Sequence, residues 1–135
     1  MNEYQTLDIA NDRGVCHVTI SNPPVNVMTT ALYQDLVALT EEVASDDSIK
    51  VVVFQSADPD FFIAHFDVSL ILTFPTEGEA ERAEKLSPFH QMCERVRTMP
   101  KATIVKMAGR AGGGGNEFAA SCDMRFGVQG KTIIN

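Results

Sequence analysis

Lys106-Met107-Ala108-Gly109-Arg110-Ala111-Gly112-Gly113-Gly114-Gly115-Asn116-Glu117-Phe118-Ala119-Ala120-Ser121-Cys122-Asp123 joins a strand-like apolar segment to a helix-like one through four consecutive glycines. Glycine loses more conformational entropy on folding than any other residue. A run of it fits a place where backbone approaches a neighbour closely or turns bare amides toward a ligand. Glu117, on what reads as the opening helix, is placed as a buried-side acid that handles protons. A plain flexible linker is the alternative. Two motifs are excluded. The phosphate-cradling loop needs Lys and then Ser or Thr after its last glycine, where Asn116 and Glu117 stand. The dinucleotide fingerprint, counted from Gly112 and Gly114, needs glycine at Glu117.

Outward from this stretch, Thr103 to Met107 reads as a strand, and a short helix runs from about Gly115 to Ser121. Asp123 to Gly127 reads as a further strand, with Gln129-Gly130-Lys131 turning into Thr132-Ile133-Ile134. Upstream, Ser87-Pro88 is a helix start, with the serine as cap and proline at the first helical position. Phe89, Met92, Cys93 and Val96 line its apolar face, and Pro100 bars its continuation. Thr73 to Glu84 is polar and acidic and reads as a mobile surface segment.

Near the front, Tyr4 to Ile9 and Val15 to Ile20 alternate as strands around a turn at Ala10-Asn11-Asp12-Arg13-Gly14. Leu32, Leu36, Leu39 and Val43 recur with the period of a helix between Thr30 and Ala44, capped by Thr29 or Thr30. Ile49 to Phe54 is nearly continuous in apolar and β-branched residues, as in a strand covered on both faces of a parallel sheet. A helix between two strands suggests a crossover unit.

The composition sets outer bounds. A chain of 135 residues, 44% apolar, suits one domain with a real core. A net charge of −7 and a pI near 4.8 argue against a general nucleic-acid surface, and no basic cluster stands out. Cys16, Cys93 and Cys122 have neither disulfide-framework nor metal-ligand spacing, which fits a reducing, cytoplasmic compartment and no metal. The polar N-terminus lacks the pattern of a secretory signal, and no apolar run approaches the roughly 20 residues of a membrane helix.

Taken in order, Ile20-Ser21-Asn22-Pro23-Pro24-Val25-Asn26, the helix after it, Val51-Val52-Val53-Phe54, Phe62-Ile63-Ala64-His65-Phe66-Asp67 and the glycine motif resemble the N-terminal half of the enoyl-CoA hydratase/isomerase, or crotonase, superfamily. Their order and spacing carry the likeness more than any one of them. The resemblance implies an α/β fold of the crotonase type, a spiral of repeated β-β-α units incomplete at the C-terminus. Residues 1–135 would be the N-terminal part of a single acyl-CoA-binding domain. It also implies a coenzyme A thioester as substrate, no permanently bound cofactor, and a homotrimer or hexamer for the complete protein.

In that family two backbone amides hold the thioester carbonyl oxygen, and preorganised donors aimed at developing charge are among the largest catalytic terms. Matched by motif, those amides belong to Phe66 and Gly114. Glu117 matches one of the two glutamates that hydratases use to move protons, and desolvation would tune it as general base or acid. The bland alternative is an acid that complements the helix dipole. Ala64, His65, Gly113 and Asn26 are the expected substrate and coenzyme A contacts.

The sequence also departs from the pattern. His65 stands where many relatives have glycine. It either tolerates a left-handed backbone there, points at substrate, or is simply packed or solvated. Phe66 is bulkier than the usual alanine and would reshape the acyl pocket. Asp67, Asn22 and Asn26 suit turn support, with the asparagine backbone at the edge of the coenzyme pocket. The second glutamate of the hydratase pattern would fall just beyond Asn135, so the stretch is expected to hold half of a two-acid site. The expected function is an acyl-CoA-processing enzyme, hydratase or isomerase. The alternatives are a non-catalytic acyl-CoA-binding or oligomerisation module, or a truncated remnant inactive alone.

Overall fold

The structure, a computed structural model, describes residues 3–135. It opens with an antiparallel hairpin, β1 (Leu7–Asp12) and β2 (Val15–Ile20). Arg13 and Gly14 turn it with φ of 47° and 84°. Two successive left-handed residues make the mirror-image turn whose twist matches the strands. The turn is therefore shorter than the sequence pattern suggests, and β1 starts at Leu7 rather than Tyr4. The backbone before Leu7 is held elsewhere: the Thr6 amide and hydroxyl both donate to Asp35 Oδ2 at 2.7 Å. The Tyr4 hydroxyl donates to Glu42 at 2.8 Å.

Helix α1 (Thr30–Ser45) buries Leu32, Leu36, Leu39 and Val43, the face its periodicity marks. Of the two capping candidates Thr29 is the cap, its hydroxyl accepting the Leu32 amide at 3.3 Å. The chain returns as β3 (Val51–Ser56), parallel to β2 with Val51 opposite Val15. The strand begins two residues later than the apolar run, and the Lys50 and Val51 amides both donate to the Gly14 carbonyl, at 2.7 and 3.1 Å, where the strand leaves the hairpin turn. Val52, Val53 and Phe54 are buried, as a strand covered on both faces requires.

From there the chain repeats one unit. After β3 come β4 (Phe61–Ile63), a 3-10 helix (Val68–Thr73), an exposed segment and α2 (Pro88–Thr98). After β5 (Ala102–Met107) come β6 (Arg110–Ala111), α3 (Gly114–Ser121) and β7 (Met124–Gly127). The long strands form a five-stranded sheet in the order β1-β2-β3-β5-β7, parallel from β2 onward. The short strands β4 and β6 form a second parallel sheet, and Ile134 bridges to Ala111 in the same sense. This is the expected α/β spiral of β-β-α units. After β7 the chain is already back at the small sheet.

Phe54 on β3 meets Phe118 on α3 edge to face, with centroids 5.0 Å apart, at the centre of the core. Asp123 lies outside β7. Its carboxylate accepts the Thr103 amide at 2.8 Å and hydroxyl at 3.0 Å, pinning the end of α3 to β5. The β7 side is open, with Met124, Phe126, Val128, Ile133 and Ile134 exposed.

Candidate active site

The glycine loop is laced to the end of β4. The Gly112 amide donates to the Ile63 carbonyl at 3.0 Å, and the Gly115 amide to the Gly112 carbonyl at 2.9 Å. A Cβ on Gly115 would lie 2.6 Å from both Cβ and the carbonyl oxygen of Ile63, so a side chain there would collide with main chain. Gly113 has φ 49° and ψ −122°, a conformation essentially reserved for glycine, and its amide donates to the Asn135 carbonyl at 2.8 Å. Gly114, the first residue of α3, is the exception. Among the described residues its amide has no acceptor. A helix leaves its first amides without internal partners and gathers partial positive charge there, so this donor suits an anionic or polarised oxygen.

A second loop lies alongside. The Met28 amide donates to the His65 carbonyl at 2.8 Å, and the Asp67 amide to the Met28 carbonyl at 3.1 Å. Between them the Phe66 amide also has no acceptor among the described residues. The two loops touch residue by residue. A Cβ on Gly113 would be 3.9 Å from His65 Cβ, and one on Gly114 would be 3.2 Å from the Phe66 ring. Asp67 supports the turn: Ser69 donates to its carboxylate from the hydroxyl at 2.7 Å and the amide at 3.0 Å. These bonds, the hydroxyl one foremost, hold its carboxyl below the ordinary range.

His65 is exposed, with Nδ1 2.6 Å from the Phe66 carbonyl oxygen. Left-handed backbone among non-glycine residues falls at Arg13 and Asn26, so the glycine that His65 replaces is not needed for φ. Ala64, His65 and Gly113 line one cleft of about 310 Å³ together with Val25, Arg110 and Asn135. The sequence reading missed Val25 and Arg110. The signal for Arg110 was available, since it is the cation within the glycine stretch itself.

The Asn26 side chain gives the turn support expected of it, and the residue borders a cleft with Asn22, Pro23 and Asp58. It is 2% exposed, and its side chain accepts the Asn22 amide at 2.8 Å while donating to Ser56 Oγ at 2.7 Å and the Phe62 carbonyl at 3.0 Å. These bonds tie the 21–26 loop to β3 and β4. The asparagine is a structural hub whose side chain has no polar group left for a ligand.

Glu117 differs from the reading of a buried-side acid. Its side chain is 56% exposed, with Oε1 3.8 Å from His90 Nε2 on α2. Phe118 takes the inward position on α3 instead. Apolar surroundings begin one turn earlier. Phe66 and Phe89 meet edge to face at 5.8 Å, Tyr33 lies 6.2 and 6.5 Å from them, and a Cβ on Gly114 would be 3.6 Å from Phe89.

Among the described residues no three His, Cys, Asp or Glu side chains are grouped to hold a metal. The three cysteines are free and buried. Burial pushes the thiols up, to about 11 at Cys16 and about 12 at Cys122, which keeps them protonated and unreactive. No helix among the described residues is long and apolar enough to cross a membrane.

The pattern of the enoyl-CoA hydratase/isomerase family matches residues 10–131. A Bacillus subtilis (strain 168) protein named "Probable enoyl-CoA hydratase" is 25% identical over 123 residues, covering 91% of this chain and 46% of its own length. The fatty acid oxidation complex subunit alpha of Aliivibrio fischeri is 31% identical over 110 residues, 80% of this chain and 16% of that protein. The crystal structure of a "putative enoyl-CoA hydratase" from Streptomyces avermitilis matches with a TM-score of 0.81 and 34% identity, over 98% of this chain and 49% of that one. Pseudomonas aeruginosa DspI matches with a TM-score of 0.79 and 26% identity, over 99% and 54%. The chain thus spans about half the length of the hydratase relatives it matches.

Proposed function

The chain belongs to the enoyl-CoA hydratase/isomerase family, and on that premise we propose that it carries the thioester-binding half of an acyl-CoA-processing site, of hydratase or isomerase type. One observation carries the reading. Gly114 and Phe66 sit side by side on adjacent loops, each with a main-chain amide that finds no acceptor among the described residues. Where such a donor is out of reach of water it is costly unless a ligand answers it, and Gly114 is buried. A thioester carbonyl oxygen set between them would gain most as it becomes an enolate, because the donors are already in place when the charge develops.

In hydration, water adds to the β-carbon of the conjugated double bond, charge moves onto the thioester oxygen, and a proton is returned to the α-carbon. The Gly114 and Phe66 amides would hold that oxygen, and Glu117 would carry the proton. Ala64, His65 and Gly113 would line the coenzyme side, with Asn26 fixing the loop behind them. No permanently bound cofactor enters this scheme. A homotrimer or hexamer would cover the open β7 side, and the buried free cysteines support a cytoplasmic setting.

The test compares hydration of short enoyl-CoA thioesters by the whole protein and by its E117Q variant. Loss of a positioned acid–base group is expected to lower kcat by about 10²–10⁴-fold. Equal turnover would remove Glu117 from the mechanism. The exposure of Glu117 favours one second reading, an acyl-CoA binder without turnover. Calorimetric binding of an acyl-CoA with no detectable hydration would support it.

A further inference from the structure

His90 has no part in the family pattern quoted above, yet it is the side chain that meets Glu117. Its Nε2 lies 3.8 Å from Glu117 Oε1 across the contact between α2 and α3. The ring is held from behind. Ser87 Oγ is 2.9 Å from His90 Nδ1, and the same oxygen accepts the His90 amide at 3.2 Å as the cap of α2. With the amide hydrogen pointing at the oxygen, the hydroxyl hydrogen is available for Nδ1. In the tautomer where the Ser87 hydroxyl donates to Nδ1, the ring proton sits on Nε2, toward Glu117. Pro88 at the first helical position fixes the turn that sets this arrangement. Phe89, the next residue, packs against the Phe66 ring and over Gly114, so the chain Ser87, His90, Glu117 runs along the edge of the paired loops.

We infer that His90 is a positioning residue for Glu117: oriented by Ser87, its Nε2–H holds the Glu117 carboxylate in place beside the thioester site. The inference rests on the reading of Glu117 as the proton carrier. Other groups on α2 are otherwise placed. Cys93 is buried, and burial pushes its thiol up, so it stays neutral. Arg95 is paired with Glu41 on α1 at 2.9 Å. The separation of 3.8 Å is longer than a hydrogen bond, and such contacts in ligand-free sites commonly tighten when substrate excludes water.

The experiment is steady-state hydration kinetics on the whole protein with His90→Leu, His90→Gln and His90→Asn, each also combined with E117Q. Loss of an outer-shell partner is expected to lower kcat in H90L by about 10–100-fold with KM little changed. The side-chain amide of H90Q reaches about as far as Nε2, so it should recover most of that loss. H90N retains a polar group beside Ser87 but stops short of Glu117, and should behave like H90L. In the E117Q background all three should add little, because the two residues act as a unit. Circular dichroism and urea midpoints show which variants are folded, and H90N and H90Q keep the comparison available if H90L is not. Turnover in H90N or H90L equal to wild type, or effects that multiply with E117Q, would overturn the inference alone. A wild-type protein with no turnover would overturn the reading beneath it as well.

Discussion

The end of the molecule built from β1, β2, α1 and β3 and the end built from the two loops, α2 and α3 treat polar groups in opposite ways. At the first end Thr6, Asn22, Asn26 and Thr29 are all bonded, and the core beside them is filled by the fully buried Val18, Ile20, Leu32, Leu36 and Leu39. At the second, the Phe66 and Gly114 amides are unanswered and Glu117 and His90 are more than half exposed. The same spiral repeat produces both. The difference is that the first end is closed by its own side chains, whereas the second leaves two main-chain donors without an acceptor among the described residues. Stability and chemistry should therefore respond to different substitutions.

The largest break in that comparison comes from Leu36→Ala. Leu36 is 0% exposed on the inner face of α1, and its truncation should cost about 3–4 kcal/mol, read as a fall in the urea midpoint at constant slope. Ile134, on the open side, is 50% exposed, and Ile134→Ala should stay within about 0.5 kcal/mol. Comparable losses at the two positions would mean that the open β7 side is packed as tightly as the core around α1.

Gly113→Ala should have the next largest effect and sharpens the comparison at the site. At φ 49° and ψ −122° an L side chain is strained, costing about 2 kcal/mol, while a Cβ there meets no more than His65 Cβ at 3.9 Å. Relief of the strain turns one of the two peptides that flank residue 113, of which the second carries the Gly114 amide and the first the amide bonded to Asn135. The expected result is a modest stability loss with a larger loss of acyl-CoA affinity, measured by calorimetry. Unchanged affinity would separate the Gly114 amide from ligand binding.

The two ends were not equally legible in the sequence. α1, β3 and α2 carry periodic apolar faces, caps and proline punctuation, signals that depend on near neighbours, and their types and burial follow from those signals. The short strands β4 and β6 do not. With three and two residues they have no period to read, and they exist because Phe61–Ile63 and Arg110–Ala111 are brought together by the repeat. In the site, Phe66, Gly114, Ala64, His65 and Gly113 could be named from motif resemblance, and the structure puts them on two touching loops. The turn role of Asn26 was legible in its loop, but its long-range bonds to Ser56 and Phe62 were not, because they depend on β3 and β4 being brought beside it. His90 drew no reading from the sequence, where it is one polar residue in a first helical turn. Its meaning depends on Ser87 within the helix and on Glu117 from another helix, and only the second of these is long-range.

Thr29→Ala is the smallest expected effect and tests whether the closed end owes its order to local or distant bonds. Thr29 Oγ1 accepts the Leu32 amide at 3.3 Å and the Asn22 side-chain amide at 3.1 Å. Losing the cap should cost about 1 kcal/mol, because the helix amide would turn to water and Asn22 retains the Val27 carbonyl at 2.8 Å. If the loop were held mainly through Thr29, its loss would spread to Met28, whose amide and carbonyl grip the Phe66 loop. The result would be weaker acyl-CoA binding as well as lower stability. The separate bonds of Asn26 to Ser56 and Phe62 argue that it does not spread. Thr29→Ala should thus shift the urea midpoint while leaving ligand affinity unchanged, and a fall in affinity would show that the two ends are coupled through residues 22–29.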